Sequence, residues 1–127
     1  MNVMVTGSRG WTDHETIFDT LTRLFDRAAE RAEEFVLMHG GAEGADTIAH
    51  EWGAEMFPDV EIRVFRPRKD RPSPQRFHER NDAMLYDADY VLAFWDGKSR
   101  GTKSVIDKAI KRGLEYEVHA PEGVEIT

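Results

Sequence analysis

The chain has 127 residues, of which 40% are hydrophobic and 10% aromatic; it lacks cysteine and carries a formal charge of −7. That length suits one domain with a real core. Without cysteine there are no disulfides or thiolate metal sites, and the acidic balance argues against general nucleic-acid binding, which needs a basic surface to displace counterions.

Val3-Met4-Val5 is a short apolar run that empties into Thr6-Gly7-Ser8-Arg9-Gly10, the pattern of a buried parallel strand entering a loop. Asp13 is placed as an N-cap, and Ile17, Leu21, Leu24, Phe25, Ala28 and Ala32 form one helical stripe. Phe35-Val36-Leu37-Met38 repeats the strand pattern and runs into a glycine-rich turn, His39-Gly-Gly-Ala-Glu-Gly-Ala-Asp46. Ala45, Ile48, Ala49, Trp52 and Met56 then recur at helical spacing until Pro58-Asp59 breaks the helix. Ile62, Val64 and Phe65 read as a third, more polar strand at a sheet edge.

From Arg66 to Pro74 the chain holds three prolines and four basic residues, too irregular for an element and read as a functional loop or flap. Ser73 is positioned to cap the next helix, whose stripe of Phe77, Asn81, Met84, Leu85 and Ala88 includes one polar member. Tyr90 to Trp95 is the most apolar run and predicts a central strand. It empties into a second glycine-rich loop, Asp96-Gly-Lys-Ser-Arg-Gly-Thr102, with Thr102 placed to cap a helix that turns Val105, Ile106, Ala109 and Ile110 inward and ends at Gly113. Glu115 to His119 gives a last strand, and a loosely ordered tail is expected over residues 121–127.

This alternation predicts a single-domain α/β fold, a Rossmann-like parallel sheet of about five strands with helices on both faces. Ligands of such sheets bind outside the carboxyl ends of the strands, where both glycine loops and the proline-rich loop emerge. No apolar run approaches the ~20 residues of a membrane span, and Met1-Asn2-Val3 leads straight into a strand pattern, so a cytoplasmic protein is expected.

Charge is segregated. Between Arg63 and Arg80 seven basic residues face two acids, a local balance of +5 against −12 for the remainder. Such a patch suits a small anion. In the first glycine turn, Gly40, Gly41 and Gly44 can present N–H groups to phosphate oxygens; Asp46 either favours the helix dipole or accepts from ribose hydroxyls. The second loop adds Asp96, Gly97, Ser99, Gly101 and Thr102, the first-strand loop adds Gly7, Ser8 and Arg9, and the third helix adds Arg80 and Asn81. Trp11 and Trp95 flank this cleft, where one could stack on a base. The spacing fits neither a P-loop nor a G-x-G-x-x-G dinucleotide turn, and His39, His50, His78 and His119 lack metal-ligand spacing.

Val-Thr-Gly-Ser-Arg at 5–9, His-Gly-Gly-Ala-x-Gly-Ala-Asp at 39–46, Arg80-Asn81 with Met84, and Asp-Gly-x-Ser-x-Gly-Thr at 96–102 resemble the YspA-related branch of the SLOG superfamily. That superfamily also contains the Lonely Guy cytokinin-activating enzymes and the DNA-processing protein A family. The resemblance spans residues 3 to 112 and implies glycine loops that bind a nucleotide or nucleotide-derived ligand. The stretch from Phe77 through Met84 is similar to the Lonely Guy segment whose arginine serves phosphoribohydrolysis, which makes Arg80 its equivalent. The second Lonely Guy motif, Gly-Gly-x-Gly-Thr-x-x-Glu, is matched at Gly101-Thr102 but has Val105 in place of the catalytic glutamate, a group valine cannot replace in proton transfer.

The expected function is therefore binding of a nucleotide or ADP-ribose-like ligand as a sensor or sequestering module, with no further cofactor implied. Hydrolysis of an N-glycosidic or phosphate bond is the alternative, with Arg80, Asp96 and Glu43 as catalytic candidates, and single-stranded nucleic-acid binding is the second. A homodimer is expected by analogy with relatives.

Overall fold

A computed structural model of the chain describes residues 1–125. The elements run β1 (Asn2–Gly7), α1 (His14–Glu30), β2 (Phe35–His39), α2 (Ala45–Met56), β3 (Val60–Val64), α3 (Gln75–Asp87), β4 (Tyr90–Phe94), α4 (Arg100–Lys111) and β5 (Glu115–His119). The strands form one five-stranded parallel sheet in the order β3-β2-β1-β4-β5. The central strand is β1, with β4 beside it. Val3–Val5 of β1 and all of β4 are apolar because helices cover both faces.

Alternation along the strands divides the core. Val3, Val5, Leu37, Leu92 and Phe94 face α1 and α2, while Met4, Met38 and Val91 face α3 and α4. On the first face Trp52 meets the rings of Phe35 and Phe25 edge-on, with centroids 5.5 and 6.2 Å apart. The edge strands are more polar: β3 turns Glu61 and Arg63 to solvent, and β5 turns out Glu115 and Tyr116. Arg23 and Arg27 of α1 reach across to Glu117 and Glu115.

Local chemistry sets the helix ends. Asp13 caps α1, its carboxylate accepting from the Thr16 N–H at 3.1 Å and the Thr16 hydroxyl at 2.5 Å. The expected stripe overshoots the helix at its last member, since α1 ends at Glu30 and the exposed Ala32, two residues on, has φ 54°. The Glu33 N–H turns back to Ala28 O there, closing the helix. Gly113 ends α4 as expected, with φ 70° and the Leu114 N–H bonded to Ala109 O.

Three other expectations need correction. Ser99, one turn before Thr102, caps α4 through its Oγ. The cap position of α3 belongs to Pro74, not Ser73, and has no side-chain acceptor. Ile110 is 51% exposed because the inward arc of α4 is centred on Thr102, Val105, Ile106 and Ala109, and position 110 falls at its margin.

Of the tail expected at 121–127, residues 121–125 include a turn closed by the Val124 N–H on Pro121 O; residues 126 and 127 lie outside the described part. Among the described residues no helix is long and apolar enough to cross a membrane.

Candidate functional site

The order of strands reverses between β1 and β4, so the loops leaving these strands part and open a crevice at their carboxyl ends. Ser8 ties the two loops together. Its N–H donates to Phe94 O at 2.9 Å, and its Oγ accepts from the Asp96 N–H at 3.0 Å. Asp96 folds back on its own loop: one carboxylate oxygen accepts from the N–H groups of Ser99 and Lys98, both at 2.8 Å. Those two bonds hold its pKa below the ordinary carboxylate value.

At the start of α4 the Thr102 N–H is taken by Ser99, whereas the N–H groups of Arg100 and Gly101 precede the first intrahelical acceptor. Space in front of Gly101 is open, since a Cβ built there meets no atom within 4 Å. The resulting cleft has a volume of about 710 Å³ and is lined by Gly7, Ser8, Arg9, Asp46, Arg80, Asn81, Asp96, Ser99, Gly101 and Thr102. A single crevice thus gathers residues from the first-strand loop, both glycine loops and the third helix.

The first glycine turn is built differently from a bare phosphate cradle. Three of its N–H groups are already engaged: those of Gly40 and Ala42 donate to Asp46 Oδ2 at 3.0 and 3.2 Å, and that of Gly41 donates to His39 Nδ1 at 3.0 Å. Asp46 therefore braces the turn from beneath. It is buried, and desolvation raises its pKa to about 6 despite those N–H groups and the charge of Arg80. His39 is buried as well, with Nε2 2.8 Å from His50 Nδ1. Because His39 Nδ1 accepts from Gly41, its proton resides on Nε2 and is donated to His50. Burial, and then the charges of His50, Arg66 and Arg80, lower the His39 pKa to about 4.

Gly44 has φ 77°, and a Cβ there would overlap the carbonyl oxygens of Ser8 and Arg9. Its role visible in the structure is to let the turn lie against the first-strand loop. A Cβ at Gly40 would overlap the Arg80 guanidinium, which lies over the turn and donates through Nη1 to Gly40 O and through Nε to Asn81 Oδ1, both at 2.7 Å. This gives the polar Asn81 its partner on an inward face.

Around Arg80 the basic segment divides in two. Arg63, Arg68 and Arg71 pair with Glu61, Asp70 and Glu79 at 2.5, 2.7 and 3.6 Å. Arg66, Lys69, Arg76 and Arg80 have no carboxylate partner among the described residues, and with Arg9 they line a side pocket of about 340 Å³ beside Gly40 and Gly41. Phe77 also lines it, with the guanidinium carbons of Arg76, Arg80 and Arg9 at 4.9, 5.7 and 5.9 Å from its ring centroid. Its place in the helical stripe had marked Phe77 only as a packing residue. The legible signal was the i, i+4 spacing of Arg76 and Arg80, which puts both on one face of α3.

Other candidates lie elsewhere. Glu43 and Gly44 border a separate outer groove, and Gly97, with φ 85°, faces Val124. Trp11 and Trp95 are core residues: Trp11 packs on Phe94 at 5.5 Å and donates to Asp13 O, and Trp95 donates to Ser99 O. Val105 is buried beneath the cleft with Met4 and Met84. Among the described residues, no three His, Asp or Glu side chains group as a metal site.

The model of a protein family, YAcAr, described as the YspA, cpYpsA-related SLOG family, matches residues 1–71. Over 116 residues the chain is 34% identical to the Gene 61 protein of Mycobacterium phage D29, an alignment covering 88% of this chain and 90% of that protein. The X-ray structure of TM1055 superposes with a TM-score of 0.64 at 20% identity, covering 91% of this chain and 71% of the other, which is a likeness of fold. The family match and the phage relative together establish that this chain belongs to the YspA, cpYpsA-related SLOG family.

Proposed function

We propose that the chain binds a nucleotide or nucleotide-derived ligand of the ADP-ribose type and acts as a sensor or sequestering module. The observation that carries this reading is the cluster of cations without carboxylate partners beside a cleft at the sheet's switch point. Nucleoside would occupy the crevice between the β1 and β4 loops, and phosphate would meet Arg9, Arg80 and the N-terminus of α4. Family membership supports a nucleotide-related role.

The placement of the acids favours binding over hydrolysis. Asp96 is ionised and committed to its loop, Asp46 is committed to the glycine turn, and Glu43 lies outside the cleft. None is held as a free general base.

Calorimetric titration with AMP, ADP and ADP-ribose, followed by chromatography of the mixtures after long incubation, tests the proposal. Binding with unaltered ligand is the expected result. Release of a base or ribose phosphate would replace the sensor with a hydrolase. Binding of a single-stranded oligonucleotide but no free nucleotide, collapsing as salt rises, would replace it with a nucleic-acid binder.

A further inference from the structure

Two compartments meet at Arg9, Ala42, Phe77 and Arg80. The larger lies at the switch point between β1 and β4; the smaller lies beyond the ends of β2 and β3 and adds Arg66, Lys69 and Arg76. No acid lines the smaller pocket. The acids of the surrounding segment are bound instead to the outward-facing Arg63, Arg68 and Arg71. Arg76 Nε is buried without an acceptor, a donor that a native structure leaves unmatched only for a reason. Five like charges gathered in a pocket lined by no carboxylate repel one another; Asp46 offsets only Arg80, and the face of Phe77 only three arginines. A phosphate monoester, with a charge near −2, neutralises less than half of the cluster.

We infer that the ligand carries at least two phosphoryl groups, and that the side pocket formed by Arg66, Lys69 and Arg76 with Arg9 and Arg80 takes those beyond the first. This rests on the nucleotide-binding reading and adds the charge class of the ligand: a nucleoside oligophosphate or bisphosphate in preference to a monophosphate. The proline-rich segment from Arg66 is then a phosphate-binding wall, positioned two strands away from β1 and the switch point by the pairing of β2 with β3.

Calorimetry in EDTA would compare AMP, ADP, ATP, adenosine 3′,5′-bisphosphate and inorganic tripolyphosphate, with the guanine series in parallel. The proteins are the wild type, the double variant R66Q/R76Q and, as a control of equal charge change, R68Q/R71Q. The expected result is roughly tenfold tighter binding of ATP or the bisphosphate than of AMP. That preference should vanish in R66Q/R76Q, where affinity for ATP or the bisphosphate falls by more than affinity for AMP, and persist in R68Q/R71Q.

Preference for ATP identifies contiguous phosphoryl groups, and preference for the bisphosphate identifies separated ones. Equal affinity for mono-, di- and triphosphates, or equal loss in the two double variants, would overturn the inference while leaving the nucleotide site standing. Tripolyphosphate binding that depends on Arg66 and Arg76, with no nucleotide bound, would keep the pocket and remove the nucleotide reading. Binding of none of these probes would remove both.

Discussion

Replacing Asp46 with Asn, and separately His39 with Asn, should uncover two opposing pH dependences that nearly cancel in the native protein. Burial raises the Asp46 pKa from 3.8 to about 6. Between these values the folded state holds a proton that the unfolded chain has released, so stability falls as pH rises. The shift corresponds to about 3 kcal/mol. Burial, with the nearby His50, Arg66 and Arg80 charges, lowers the His39 pKa from 6.5 to about 4. There the unfolded chain binds a proton that the folded state lacks, so stability rises with pH, again by about 3 kcal/mol.

Asn at position 46 keeps one oxygen for the Gly40 and Ala42 N–H groups, which both use Oδ2, and removes the titration. Relative to the native protein, D46N should therefore gain about 3 kcal/mol between pH 4 and 6, and H39N should lose a similar amount between pH 4 and 6.5. Urea denaturation at each pH reads the difference through the buried Trp11, Trp52 and Trp95. A D46N-minus-native difference that stays flat from pH 4 to 6 would refute the claim that the turn is built around a desolvated carboxyl group.

Gly44→Ala should destabilise by about 3 kcal/mol in urea denaturation, combining a positive φ with overlap on two carbonyl oxygens. A change under ~0.5 kcal/mol would mean that the turn is free to move off the first-strand loop. Asp13→Ala should lose about 1 kcal/mol of α1 capping. Since Thr16 lowers the Asp13 pKa, that contribution is present at neutral pH and fades on acidification below the ordinary carboxylate value, so the native and variant denaturation curves should converge in acid. The exposed Arg23–Glu117 pair at 2.5 Å should contribute less than ~1 kcal/mol in a double-mutant cycle and less still in 1 M salt.

Phe77 and the arginines around it illustrate why part of the site was legible and part was not. The excess of positive charge from Arg63 to Arg80 is a property of composition and was visible directly. Which of those cations are neutralised depends on where each side chain points after Val60–Val64 becomes an edge strand and Gln75–Asp87 a helix. Likewise, the glycines of the first turn marked a tight backbone. Their N–H groups could be assigned to Asp46 and His39, and Gly44 to the carbonyls of Ser8 and Arg9, only from three-dimensional contacts.

The sequence by itself determined the alternation of strands and helices and the parallel sheet, because apolar periods of two kinds recur with short connections and each must bury a face. It also placed both glycine loops, the basic segment and the Arg80-Asn81 pair at one edge, because every strand of a parallel sheet ends on the same side. Only the tertiary structure decided that Asp46 and His39 brace the glycine turn through the N–H groups of Gly40, Gly41 and Ala42 and that five cations are left facing a pocket. Those outcomes follow from hydrogen bonds and ion pairs between residues distant along the chain, whose partners are chosen by packing and not by local sequence.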